Sequence, residues 1–103
     1  MSNTDRYNGK PMLRLLECYT LRAIGQLETE YETMMAEMAP NFQSVYKVNG
    51  EWHEIIEKVM ELPPHMPELI RDMWNKNQEI ALQNNTTLSP QTFAEMFVDQ
   101  NLT

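Results

Sequence analysis

One stretch constrains the fold more than any other: residues 11–27, PMLRLLECYTLRAIGQL, the longest apolar run in the chain. Met12, Leu15, Leu16, Tyr19, Ala23 and Leu27 recur at spacings of three and four, so they share one helical face. Leu13, Thr20 and Ile24 widen that face, and Arg14, Glu17, Arg22 and Gln26 fall on the other side. A stripe this wide predicts a helix packed against two or more others. Asn8-Gly9 is a turn signal, Pro11 suits a first helical turn where its missing N–H is not needed, and Gly25 marks fraying or a close helix crossing near the end. Each large apolar side chain fully buried contributes roughly 1.5–3 kcal/mol, so this segment supplies much of the hydrophobic driving force.

The rest of the chain is shorter-ranged and more polar. Residues 1–9 lack periodicity and are expected to form a mobile tail ahead of a single helical domain spanning residues 10–103. Thr29 with Glu32 reads as a capping box, so a second helix is expected to start near residue 30, with Tyr31, Met34, Met35 and Met38 inward. The period continues through Phe42, Val45 and Tyr46, but Pro40 intervenes. Proline inside a helix costs about 3 kcal/mol, which predicts a break or sharp kink there. Asn49-Gly50 ends that part.

Residues 51–62 form a short amphipathic helix with Trp52, Ile55, Ile56 and Val59 on one face, and Glu54 four residues before Lys58 in the favourable order. Pro63-Pro64 stops it. Pro67 opens a further helix whose expected inner face is Leu69, Ile70, Met73, Trp74, Asn77, Ile80 and Ala81. After the loop at residues 84–87, Ser89-Pro90 is an N-cap followed by proline, and Phe93, Met96 and Phe97 are expected to point inward from a last helix ending near Gln100. No segment alternates as a strand does. The expected fold is all-α, a compact bundle of about five helices around the central helix of residues 11–27.

Composition excludes several chemistries. No apolar run reaches membrane-spanning length. The opening MSNTDRYNGK has no apolar signal core, and a lone cysteine, Cys18, has no internal partner; both point to the cytoplasm. Only two histidines are present. His53-Glu54 followed by Glu57 is half of a zinc-protease motif with its second imidazole missing, so the helix reads as a solvated polar face. Di-iron bundles require paired Glu-x-x-His motifs, and none occurs. Cys18 sits mid-helix, without the helix N-terminus that activates a thiol, and Ser89 is explained as a cap. Three glycines, at positions 9, 25 and 50, build no phosphate loop. The residues predict no enzyme, metal or cofactor, although a pair of carboxylates meeting in space is not visible in a sequence.

Charge is more informative. With 15 acidic and 8 basic residues the net charge is -7, which disfavours phosphate backbones and anionic membranes. A helix-turn-helix reading of the last two helices fails because no lysine or arginine follows Lys76. Residues 23–46 hold no cation but carry Glu28, Glu30, Glu32 and Glu37, and Glu51, Glu54, Glu57 and Glu61 extend this acidic middle. Such a surface steers association with a basic partner, and also serves solubility alone. The expected function is a small interaction module that binds another protein through these glutamates, for example an immunity or antitoxin-type inhibitor. The alternative is a self-associating structural or regulatory protein, a homodimer, with Trp52, Trp74 or apolar residues of the central helix at a symmetric interface.

The opening NGKPMLRLLECYTLRAIGQL and the ending LSPQTFAEMFVDQNL, about a third of the chain, together resemble a small uncharacterised bacterial family of roughly hundred-residue helical proteins. The resemblance implies a bacterial cytosolic protein and carries over no functional residues.

Overall fold

The computed structural model describes residues 11–102. Among them the chain forms five α-helices and no strand: α1 (Pro11–Ala23), α2 (Thr29–Tyr46), α3 (Trp52–Val59), α4 (Met66–Gln83) and α5 (Pro90–Phe97), the last continuing as a π-helical turn, Val98–Leu102. The all-α bundle expected from the sequence is the observed fold. The tail expected over residues 1–9 lies outside the described residues.

α1 is the centre. It packs against each of the other four helices and against the C-terminal turn, while α2 packs beside α3. The consequence is burial all round: every residue from 15 to 21 is buried, Glu17 and Thr20 included. Spacing alone puts Glu17 on the polar side. α5 covers that side at Glu17, which is 1% exposed and accepts a hydrogen bond from Gln91 Nε2 at 3.0 Å, while Arg14, Arg22 and Gln26 stay exposed. The Thr20 hydroxyl donates to the Leu16 carbonyl one turn back, at 2.9 Å, which satisfies it without a partner from elsewhere.

Helix ends follow local chemistry. α1 stops at residue 23, short of the expected Leu27, because Gly25 takes a left-handed conformation (φ 71°). The Gly25 N–H donates to the Arg22 carbonyl and the Gln26 N–H to the Leu21 carbonyl, the paired bonds of a Schellman cap. α3 and α4 end in the same way, with Glu61 (φ 53°) and Asn85 (φ 57°) in the glycine position. At α5, Ser89 is the N-cap expected, its hydroxyl oxygen accepting from the Thr92 N–H at 3.1 Å.

Four expectations are corrected. The capping box at Thr29 and Glu32 does not form: Thr29 is already helical, Glu28 is the N-cap, and no side chain bonds the first turn. Of the break or sharp kink expected at Pro40, the break is absent, and α2 runs as one helix over Thr29–Tyr46. The bond proline removes belongs to the Ala36 carbonyl, and Ala36 and Pro40 are both exposed, where water can hydrate that oxygen. Buried Met35 and Ala39 hold both halves to the core on the opposite side. Third, α5 turns Phe93, Ala94 and Phe97 inward, as the following turn does Val98, and Met96 is 41% exposed. The expected inner face of α4 is likewise split: Ile70 and Trp74 are buried, Met73, Asn77 and Ala81 are half-buried, and Leu69 and Ile80 are exposed, while Met66, outside that expectation, is buried.

Candidate functional site

The expected docking residues fall into two groups with different surroundings. On and beside α3, the carboxylates of Glu51, Glu54 and Glu57 are engaged within the chain. Glu51 and Glu54 form a reciprocal capping box, with the Glu51 N–H donating to Glu54 Oε2 at 3.2 Å. Gly50 is needed beside it: its φ is 134°, and a β-carbon there would overlap the Glu54 carboxylate. The Gly50 carbonyl also accepts from Gln43 Nε2 at 2.8 Å, which ties the end of α2 to the start of α3. Glu57 is half-buried and accepts the Tyr19 hydroxyl at 3.0 Å. Burial, followed by that carboxylate, pushes the Tyr19 phenol well above its ordinary range. Glu61 is exposed, but its backbone forms the cap that ends α3.

On α2 the picture differs. Glu28, Glu30, Glu32 and Glu37 are all exposed. Thr29, Thr33, Ala36 and Pro40 recur at three and four and form a narrow stripe of small residues along the solvent side. Glu32 stands on one flank of this stripe and Glu30 and Glu37 on the other. Thr29, Glu32, Thr33, Ala36 and Glu37 line a shallow surface depression there. No lysine or arginine interrupts it, since none occurs between Arg22 and Lys47.

A second feature was not foreseen. A cleft of about 380 Å³ opens between α1, the start of α2 and the start of α5, with Arg14, Glu17, Cys18, Glu28, Tyr31 and Gln91 in its walls. The Arg14 guanidinium lies over the Tyr31 ring, 5.3 Å from its centre. Glu28 joins the cleft to the acidic side of α2. Only the packing of α5 on the polar side of α1 creates this recess, and no spacing in either segment announces it. Burial pushes the Cys18 thiol up to about 11, with Arg14 opposing and Glu17 adding to the shift. The sulfur is therefore protonated near neutral pH, the opposite of an activated nucleophile.

Among the described residues no group of three or more histidine, cysteine, aspartate or glutamate side chains could hold a metal ion. His53 stands edge-on to the Trp52 ring, their centres 6.0 Å apart. No described helix is long and apolar enough to cross a membrane. In comparisons with known proteins, no family model, no curated protein and no solved structure matches this chain.

Proposed function

We propose that this chain is a small, non-catalytic interaction module that docks on a basic surface of another protein through the solvent side of α2. A concrete form is an immunity or antitoxin-type inhibitor acting in the cytoplasm of a bacterial cell, where an acidic face covers a basic active site. One observation carries the reading: a cation-free helix presents exposed carboxylates on both flanks of a stripe of small residues. Small side chains let another backbone approach closely. The flanking acids then reach lysines or arginines on either side of it, and long-range attraction raises the encounter rate. On α3, Glu51, Glu54 and Glu57 have intrachain bonds to keep and serve the same field at longer range.

The test begins with a tagged pull-down washed at low and then high salt. A single basic protein that leaves with salt is the expected eluate. Association of that protein with the variant carrying Glu28, Glu30, Glu32 and Glu37 all changed to Gln should then be slower by about tenfold at low salt, and the difference should shrink as salt is added. Equal association rates for both proteins at low salt would sink the charge argument. All four positions are exposed, so the variant should keep its fold.

A further inference from the structure

α4 is longer than the core it packs on. Past Trp74 none of its residues is buried, yet the helix continues to Gln83. Ile80, on this projecting half, is 49% exposed, and on the anchored half Leu69 is 39% exposed beside half-buried Met73. At 3.6 residues per turn these three side chains fall within about 40° of arc, beside the arc of Met66, Ile70 and Trp74 that meets the core. Asp72 and Lys76, one turn apart and both exposed, edge the stripe on its solvent side.

The order of these residues is complementary to itself when reversed. Read forwards it is apolar Leu69, acidic Asp72, basic Lys76, apolar Ile80; read backwards the apolar ends exchange and Asp72 and Lys76 each meet their opposite, while the exposed Glu68 and Glu79, farther round the same edge, meet each other at the outer margin. We propose that two copies of the chain pair through this stripe, their α4 helices antiparallel about a two-fold axis that crosses near residue 74. Leu69 of one copy lies against Ile80 of the second, and Met73 packs against the middle of the second helix. Asp72 of each copy faces Lys76 of the other, so the charge pair occurs twice, as an isologous interface requires. A parallel pair would set Asp72 against Asp72 and Lys76 against Lys76, and charge therefore selects the antiparallel one. The projecting half of each helix lies along the anchored half of the other, which covers the part of α4 that its own core leaves uncovered. This pairing uses none of the α2 carboxylates and stands apart from the docking reading.

A single pair of helices covers less than the roughly 800 Å² per partner of a standard interface, so the dimer should dissociate on dilution. Sedimentation equilibrium of the full chain, from low micromolar to several hundred micromolar, should show monomer passing to dimer and nothing larger. Ile80→Glu should weaken dimerisation by about tenfold or more. Asp72→Lys and Lys76→Asp should each weaken it several-fold, and the double exchange should restore it, with thermal melts confirming that each variant stays folded. A monomer across the whole range overturns the proposal. So does a dimer indifferent to Ile80→Glu. Single exchanges that weaken the dimer while the double exchange stays weak overturn the antiparallel arrangement.

Discussion

α1 and α4 look alike as sequence and behave differently as structure. Each starts with proline in its first turn and carries apolar residues at three- and four-residue spacing. Yet residues 15–21 of α1 are all buried, polar ones included, while the longer α4 buries only Met66, Ile70 and Trp74. The periodicities do not account for this. Along residues 15–21 α1 has a neighbour on every side. On α4 the core ends at Trp74, which meets Phe93 edge-on with ring centres 5.3 Å apart, and the helix extends beyond it. Periodicity states which residues can be buried together, and the number of neighbours states which of them are.

The sharpest way to break this comparison is to truncate one side chain on each helix. Leu16 is 1% exposed, and Leu16→Ala should cost about 3–5 kcal/mol in urea unfolding, because a closely packed site refills poorly. Ile80→Ala should stay within about 0.5 kcal/mol when measured at low micromolar protein. Similar costs for the two would mean that the outer half of α4 is packed after all.

Alkaline unfolding gives the next largest effect, and it belongs to α1. The Cys18 thiol titrates near 9.0 in an unfolded chain and near 11 in the folded one, so the unfolded chain loses its proton first. Stability is therefore fully present below pH 9 and falls as pH rises through this window, by up to about 1.4 kcal/mol per pH unit. The Tyr19 phenol, raised in the same direction, extends the loss above its ordinary 10.0. Cys18→Ala should remove the earlier part of the decline and leave the later part. A decline identical in the variant would show that the thiol is not the group responsible.

The smallest effects compare the two helix ends. Gly25 closes α1 at φ 71°, and a β-carbon added there meets nothing within 4 Å. Gly25→Ala thus isolates the left-handed backbone cost and should destabilise by about 1 kcal/mol. Asn85 closes α4 in the same conformation, and Asn85→Gly should gain less than that, by a few tenths of a kcal/mol at most. Thermal melts of both variants in one buffer resolve the order.

Much of the fold was legible because it rests on local rules. The apolar face of α1, the stops at Pro63-Pro64, and Ser89 as a cap ahead of Pro90 all depend on residues within a turn or two of one another. Failures came where a distant element decided. Pro40 is tolerated inside α2 because buried Met35 and Ala39 anchor the helix from its other side. Glu17 is buried because α5 arrives from the far end of the chain, its Gln91 supplying the hydrogen bond. The acidic middle was legible as composition. That Glu51, Glu54 and Glu57 are tied into bonds within the chain, while the α2 glutamates flank an open stripe, was not.

By itself the sequence determined an all-helical chain, the identity of its central helix, and an excess of negative charge concentrated in the middle. These follow from spacing, from turn chemistry and from counting, all of which act over a few residues. Tertiary structure alone decided that α1 would be covered on its polar side, that a cleft would open beside Glu17 and Cys18, and that half of α4 would extend past the core. Those outcomes depend on which helices meet and where each runs out of neighbours. Such contacts join residues far apart in the chain, and no local pattern encodes them.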